Sequence, residues 1–205
     1  MKRRRLLLGL AAVAGTRHAA AQAPYRAVKP GEVLRGRFTQ ERRINGFNRP
    51  LISTGTFVLA PGVGLIWRTE HPFDIDTVIT SAGLVQEIGG TETTRLTAAR
   101  LPFLGHLYDL LGGALAGDWH ALGSQFEMTQ HGDANHWELT LLPRAGADPL
   151  TMPFRSITLS GGQFLDKVSI SRLNDDSDRL VFSDQTLGAG GLSEVETARL
   201  REAGK

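Results

Sequence analysis

The histidines are the first residues of this 205-residue chain whose type suggests chemistry, because clustered imidazole rings bind zinc. Six are spread along the sequence: His18, His71, His106, His120, His131 and His136. Their spacings include no His-x-x-x-His pair and no other compact zinc pattern. His131 and His136 flank a turn-like Gly132-Asp133, which predicts a surface loop. We therefore expect neither a metal site nor a cofactor.

Three aspartates form an acidic cluster, Asp175, Asp176 and Asp178, and carboxylates are the side chains that bind calcium. A calcium loop of the helix-loop-helix type has twelve residues and ends in a glutamate, and this pattern is absent from the cluster. The three residues also lie between two predicted strands. The sequence thus favours a hairpin tip over a calcium site.

Motifs for covalent catalysis are absent from the sequence. The chain contains no cysteine, so it has no disulfide, no thiolate metal site and no cysteine nucleophile. It also has no G-x-S-x-G, no phosphate-binding G-x-x-x-x-G-K-[ST], and no G-x-G-x-x-G leading from a strand into a helix. We therefore predict a protein that is not an enzyme.

The elements that position these residues are mostly strands, because apolar side chains recur at every second position. The clearest alternations are Leu34, Gly36 and Phe38; Phe57 and Leu59; Leu65 and Trp67; and Phe73, Ile75, Thr77 and Ile79. Further strands are predicted at Phe126 to Gln130, Trp137 to Leu142, Ile157 to Leu159, Lys167 to Leu173 and Leu180 to Asp184. Turn signals such as Pro61-Gly62 and Gly89-Gly90 separate them, which favours an antiparallel meander in a sandwich, barrel or half-barrel.

One apolar segment departs from this pattern, since its leucines recur at helical spacing after Pro102. The helix is predicted over residues 101–115, with Gly112 and Gly113 each weakening it by roughly 1 kcal/mol relative to alanine. It fits either ordinary core packing or a movable lid. From Ser193 onward, mixed charges predict a second, short and exposed helix.

The first residues are typical of a secretory signal. Lys2 and three arginines precede an apolar run from Leu6 to Ala14 and the small residues Ala19-Ala20-Ala21. The apolar run is shorter than the ~20 residues that span a bilayer. We expect a signal peptide over residues 1–21, a single exported domain over 22–205, and either Sec or twin-arginine export, because Arg3-Arg4 also fits a twin-arginine signal.

The charge of the chain changes when this segment is removed. The whole sequence has a net charge of +2, but the remaining 18 basic and 21 acidic residues give −3, which argues against nucleic acid binding. A basic patch remains near the start of the exported domain, and it contains only two acidic residues, Glu32 and Glu41. Its cations are Arg26, Lys29, Arg35, Arg37, Arg42, Arg43 and Arg49. It fits either a solvated strand face or a docking surface for an acidic partner or lipid headgroups.

The segment from Leu34 to Thr80 resembles the N-terminal half of the LolA family, periplasmic carriers that move lipoproteins from the inner to the outer membrane. The matching residues are Phe38-Thr39-Gln40, Ser53, Gly55, Phe57, Leu59, Pro61, Trp67, Pro72 and Val78-Ile79-Thr80. A looser match continues through Pro102-Phe103-Leu104, the region of Gly132, and Leu141-Leu142-Pro143.

The resemblance implies an α+β, mostly β fold: an incomplete antiparallel β-barrel, or half-barrel, that encloses an apolar cavity with short helices as a lid. The implied cargo is acyl chains of lipoproteins or other amphiphilic lipids, passed from an inner-membrane donor complex to an outer-membrane acceptor by a monomer. The cavity lining is predicted to be Phe38, Phe57, Leu59, Leu65, Trp67, Ile75, Ile79, Trp137, Leu139 and Leu141. The lid helix is predicted to contribute Leu104, Leu107 and Leu111.

Two features depart from the family pattern. The family has a helix of several turns before its Phe-Thr-Gln strand, whereas here only Gln22 to Val33 are available and Pro30 interrupts them. The family arginine before the proline of the second strand is replaced by Ala60. The first lid element should therefore be short or missing, and closure must use other contacts. These departures make the chain more similar to LolA-related proteins encoded beside aryl-polyene or similar lipid pathways.

Three other functions are compatible with such a fold. A periplasmic lipid-binding sensor would signal by protein contact. An enzyme acting on a lipid precursor would need polar groups that converge inside the cavity, such as Asp74 or His106. An outer-membrane acceptor would need a lipidated cysteine, which this chain lacks.

Overall fold

Eleven antiparallel strands form one open sheet in the computed structural model. The structure describes residues 26–97, 112–117, 123, 126–133, 135–146, 153–188 and 190–204. The strands are β1 (Val33–Arg43), β2 (Leu51–Ala60), β3 (Gly64–His71), β4 (Ile75–Thr80), β5 (Gly83–Ile88), β6 (Thr91–Thr97), β7 (Phe126–Gly132), β8 (Trp137–Pro143), β9 (Phe154–Gly161), β10 (Leu165–Arg172) and β11 (Ser177–Gly188). The predicted signal segment and the predicted lid residues Leu104, Leu107 and Leu111 lie outside the described residues.

The sheet consists of two meanders joined by their first and last strands. Its order is β6-β5-β4-β3-β2-β1-β11-β10-β9-β8-β7, so β1 and β11 are central neighbours. They pair from Val33 opposite Gly188 to Arg43 opposite Ser177. Open sheets of more than about ten strands usually curl. Within the described residues β6 and β7 do not pair with each other, so the barrel is incomplete, which confirms the predicted fold class.

The two faces of the sheet carry two separate apolar cores, because successive side chains of a strand point to opposite faces. The inner face is the one that carries Phe57, Leu65 and Leu139, which belong to the larger core, here called the inner core. The outer face carries Val58, Ile66, Val78 and Val85, which form a smaller core with Leu200 and Ala203. Strands β3, β4 and β5 therefore have an apolar residue on both faces.

A helix over Glu194–Ala203, here the C-terminal helix, covers the outer face of β3 to β5. Ser193 caps its first turn through a capping box with Glu196, which satisfies two free backbone N–H groups. Gly64 lies under this helix, where a Cβ atom would come within 2.5 Å of a Leu200 methyl group. The predicted helix is confirmed, but its predicted exposure is wrong, because Leu200 and Ala203 are buried against the sheet.

Several strand predictions need correction. Phe73 was expected inside a strand, yet it lies in the β3–β4 turn and is 68% exposed. Pro72 precedes it and has no N–H for a sheet hydrogen bond, so the strand begins only at Ile75.

The sequence pattern did not predict β5 and β6. Among the segments beside the sheet, residues 26–32 contain no helix, and residues 112–116 are helical despite Gly112 and Gly113.

Candidate functional site

Four aromatic rings pack together at the centre of the inner face. Trp67 of β3 stacks on Phe38 of β1 with ring centroids 3.9 Å apart. Phe182 of β11 meets Phe57 edge-on at 5.5 Å and Trp67 at 6.2 Å. These offset and edge-to-face arrangements are the favourable ones for aromatic pairs. The rings bring β1, β2, β3 and β11 together around one apolar surface.

The apolar surface extends across both meanders. It also contains Phe126 from β7, Leu159 from β9 and Leu165 and Val168 from β10. Trp137 belongs to it, and its indole N–H donates to the carbonyl of Gly162 at 2.8 Å, which satisfies the polar end of the ring. The inner face is thus an apolar sheet surface several strands wide.

The predicted lining residues lie on this face. Eight of them are buried in the inner core: Phe38, Phe57, Leu59, Leu65, Ile79, Trp137, Leu139 and Leu141. Trp67 is partly buried and packs against the core. Ile75 is half-buried and lies outside this cluster, towards the end of the sheet. Their contact with a lipid remains a prediction.

The sequence pattern missed other members of the inner core. Leu180 and Phe182 flank the exposed Val181, and because these three apolar residues are consecutive, a period of two does not show which of them face the core. Phe126 is fully buried at the first position of β7, where alternation has barely begun. Val28 precedes the first strand, and no local pattern in the sequence predicts its burial.

Two chain segments cover part of the inner face, and we call them together the inner cover: Val28 and the helical residues 112–116. Ala114, Leu115 and Ala116 are buried within the inner core, as is Val28. The backbone N–H of Val28 donates to the carbonyl of Ala116 at 2.7 Å, which links the two segments. Residues of the chain itself therefore cover a part of the apolar inner face.

The inner face is less covered towards the end where β4 begins. Trp67, Ile75 and Thr77 are only half-buried there. Ile75 pairs across the sheet with Ile88, and both side chains point to the same face as Ile79. Ile88 is exposed, so the Ile75–Ile88 pair lies at the edge of the protein. The neighbouring pair towards the core is polar, because Gln86 Nε2 donates to Thr77 Oγ1 at 3.2 Å.

The acidic cluster stabilises a hairpin tip between β10 and β11. Asp178 is 3% exposed and accepts from Arg172 Nε at 2.9 Å and Nη2 at 2.8 Å, with Gln40 Nε2 at 3.2 Å. The Asn45 backbone N–H donates to Asp176 at 2.9 Å, which lowers the pKa of Asp176. The predicted hairpin tip is confirmed. Within the described ranges, no group of three or more His, Asp or Glu residues is arranged to hold a metal ion.

Ion pairs neutralise most of the basic patch near the start of the chain. The pairs are Arg26 with Glu32 at 2.8 Å, Arg35 with Glu196 at 2.7 Å, Arg37 with Glu70 at 2.8 Å, Arg42 with Asp178 at 4.0 Å and Arg43 with Glu41 at 2.6 Å. These pairs favour the solvated strand face over a docking surface for an acidic partner.

Polar clefts lie on the outer face instead. One of about 340 Å³ is bounded by the hydroxyl groups of Ser156, Thr158 and Ser169 together with Arg43 and Arg179. Asp74, which an enzyme would have directed into the cavity, is exposed in the β3–β4 turn and pairs with Arg68 at 3.3 Å. The other candidate for that role, His106, lies outside the described residues.

An open antiparallel half-barrel with a wide apolar inner face, covered by short segments of its own chain, defines the class of protein. A family model described as "Outer membrane lipoprotein carrier protein LolA-like" matches residues 12–194. The chain belongs to this family, which confirms the resemblance seen in the sequence.

Solved structures similar to this chain include a LolA superfamily protein from Nitrosomonas europaea, with 9% identity, coverage of 80% of this chain and 89% of that chain, and a TM-score of 0.43. For the MucA/MucB complex of Pseudomonas aeruginosa the identity is 16%, the match covers 81% of this chain and 55% of that chain, and the TM-score is 0.40. For the lipoprotein LppX of Mycobacterium tuberculosis the identity is 8%, the match covers 78% of this chain and 88% of that chain, and the TM-score is 0.36. No curated protein matches the sequence significantly. In the part of the chain that the structure describes, no helix is both long and apolar enough to cross a bilayer.

Proposed function

We propose that this protein is a periplasmic carrier that binds the acyl chains of lipoproteins or related amphiphilic lipids on its inner face and transfers them towards the outer membrane. The observation that carries the proposal is the wide apolar inner face, which the inner cover closes in part. Membership of a family described as lipoprotein carriers supports the same function.

The energetics of acyl transfer require such a surface. Burying one CH₂ group is worth roughly 0.8 kcal/mol, so a sixteen-carbon chain kept in water costs about 12 kcal/mol. A carrier must offset most of this free-energy cost by offering the acyl chain an apolar surface. The aromatic group around Trp67 and the aliphatic residues of β8 to β10 offer it once the inner cover moves.

The inner cover is weakly built, which suits a segment that yields to cargo. Its helical residues include Gly112 and Gly113, and each glycine disfavours a helix by roughly 1 kcal/mol relative to alanine. Leu115 is the one large apolar side chain among residues 112–116. Cargo would therefore displace a small apolar contact and gain a larger one, and the returning cover would help to release the cargo without a nucleotide.

The sequence of the first 21 residues supports a cellular setting for the proposed carrier. We propose export with cleavage after Ala21, which leaves residues 22–205 as one carrier domain in the periplasm. The carrier would receive cargo from a donor in the inner membrane and pass it to an acceptor in the outer membrane. We assign it binding rather than catalysis, and no cofactor.

Native mass spectrometry of the protein purified from the periplasm tests this function. The sample is measured as purified and after incubation with a synthetic diacylated peptide, and its lipids are extracted and identified. The proposal expects a complex of one protein with one acylated species. A protein that stays empty in both samples would contradict it. The same peptide without its acyl chains is the control, and it should not bind.

A further inference from the structure

Exposed apolar side chains are concentrated at one end of the sheet, where β1 ends and β2 begins. We call this end the hairpin rim, and its exposed apolar residues are Phe47, Leu51, Ile52, Phe73, Ile88 and Leu173. Phe47 is 73% exposed and the other five are between 46% and 68% exposed. In the described turns at the opposite end of the sheet, one large apolar residue, Val63, is exposed. The two ends of one sheet thus differ strongly in surface chemistry.

The residues of the hairpin rim lie on four neighbouring turns and on the strand ends beside them. Strand order makes the β5–β6, β3–β4, β1–β2 and β10–β11 turns successive neighbours along this end. The Gly89 N–H donates to the carbonyl of Asp74 at 3.1 Å, and the Asn45 N–H donates to Asp176 at 2.9 Å, so adjacent turns are joined. From β5 to β10 the rim covers six strand spacings, or about 29 Å along the sheet.

Such a rim is unusual for a surface that contacts only water. Monomeric proteins seldom expose large contiguous apolar patches, and those that do generally use them to bind a protein or a membrane. Phe47 and Phe73 project from two different turns rather than lining one groove. Side chains of this kind can each enter the boundary between headgroups and acyl chains.

The charges of the hairpin rim favour a bilayer over an acidic or basic protein. Its arginines are largely paired with local carboxylates: Arg43 with Glu41, Arg68 with Asp74, Arg155 with Asp175 and Arg172 with Asp178. Paired charges create little net field, so attraction must come mainly from apolar contact. Arginine stems can also lie along the apolar layer while their heads stay hydrated.

The hairpin rim also adjoins the less covered end of the inner face. Ile88 pairs with Ile75, and this pair points to the same face as Ile79 of the inner core. A molecule that leaves the inner face along Ile75 and Ile88 therefore arrives at the exposed side chains of the rim. One polar pair, Thr77 and Gln86, lies between Ile79 and this end of the inner face, and half-buried Trp67 lies beside Thr77 on β3. Because Ile88 of the rim pairs with Ile75 of the inner face, a lipid surface is the occupant that fits both.

We propose that the hairpin rim docks onto the surface of a phospholipid bilayer, so that an acyl chain passes between the membrane and the inner face along Ile75 and Ile88. The docking itself does not depend on the carrier function, whereas the passage of cargo rests on that proposed function. The two parts can therefore be tested separately.

Flotation of the purified protein with phosphatidylcholine and phosphatidylglycerol vesicles tests the docking. The rim variant carries Phe47→Ser and Phe73→Ser, both at exposed positions. The control variant carries Val63→Ser and Val195→Ser, which are also exposed but lie away from the rim. We expect the rim variant to partition about tenfold less into vesicles and the control to match the unmodified protein. Raising the salt from about 0.1 M to about 0.5 M should change partitioning less than about twofold.

Unmodified protein that fails to float, or a rim variant that floats as well as the control, would overturn the proposal; a protein partner would then be the occupant of the rim. Binding of the diacylated peptide in vesicle-free solution, followed by tryptophan fluorescence, separates this failure from failure of the carrier function. The rim variant should retain that binding. If the unmodified protein binds the peptide but does not float, only docking is refuted; if it floats but does not bind the peptide, only the carrier function is refuted.

Discussion

The C-terminal helix and the inner cover close opposite faces of the same sheet, but they are attached in different ways. Leu200 of the helix and Leu115 of the cover are equally buried, each 4% exposed. The helix is also fixed by Arg199 with Asp76 at 2.7 Å and by Arg35 with Glu196 at 2.7 Å. Within the described residues, the contacts of the inner cover are apolar apart from the hydrogen bond between Val28 and Ala116, and beside Val28 the Arg26 N–H donates to the Gln163 carbonyl at 3.2 Å.

We expect this difference to separate a permanent cover from one that leaves when cargo binds. Directional contacts hold the helix in one position, whereas apolar contact can be exchanged for contact with another apolar group at little cost. The outer face is therefore a structural core, and the inner face can serve as a binding surface. Substitutions on the two covers should have different consequences.

Leu200→Ala should have the largest effect on stability. Removing this buried side chain leaves a cavity under the helix, and we expect the free energy of unfolding to fall by about 3 kcal/mol. Urea denaturation followed by circular dichroism measures the change. Val195→Ala is the matched control, because Val195 is exposed on the same helix and should have almost no effect. A loss below about 1 kcal/mol for Leu200→Ala would show that the helix is not a permanent part of the core.

Leu115→Ala should destabilise the protein much less, although Leu115 is just as buried. If the inner cover can undock, its contribution is limited to the free energy of undocking, about 1 kcal/mol. The same variant should bind the diacylated peptide about fivefold more tightly, since less cover has to be displaced. Fluorescence titration and urea denaturation measure the two effects. Leu141→Ala, on a strand of the inner core, should lose about 3 kcal/mol. Equal losses for Leu115→Ala and Leu141→Ala would contradict a detachable cover.

The two covers also show what the sequence could and could not predict. Strands with one polar face were recognised by alternation, as in Trp137, Leu139 and Leu141, which alternate with Glu138 and Thr140. Strand β5 was missed because Leu84 faces the inner side and Val85 packs under the helix, so its apolar residues are consecutive. Strand β6 was missed because Leu96 is its only apolar residue. The consecutive pairs Leu65-Ile66 and Val78-Ile79 carried the signal that a second layer covers these strands.

The site was predictable only in part for a physical reason. Alternation identifies which side chains share a face, and nine of the ten predicted lining residues pack in or against the inner core. Alternation does not identify the segment that covers a face. The burial of Val28 depends on its contact with Ala116, 88 positions further along the chain, and such long-range contacts leave no local pattern. The exposure of Phe73 likewise depends on the turn that follows β3.

The smallest effect is expected for the ion pair of the helix. A hydrogen bond from Arg35 lowers the pKa of Glu196 below its usual value of 4.5. Because the pKa is lowered in the folded state, this stabilisation is present above the unfolded-state pKa and is lost as the pH falls through the folded-state pKa. At neutral pH, Glu196→Gln should cost less than about 1 kcal/mol, since the pair is partly exposed. Urea denaturation should show this cost shrinking below pH 4.5. A cost that does not change with pH would contradict the electrostatic assignment.

Hydrogen–deuterium exchange with and without the diacylated peptide tests most directly whether the inner cover is the detachable one. Binding should increase the exchange of the amides around Val28 and residues 112–116, while the amides of the C-terminal helix keep their protection. Unchanged or slower exchange in the inner cover, or faster exchange in the C-terminal helix, would contradict the account.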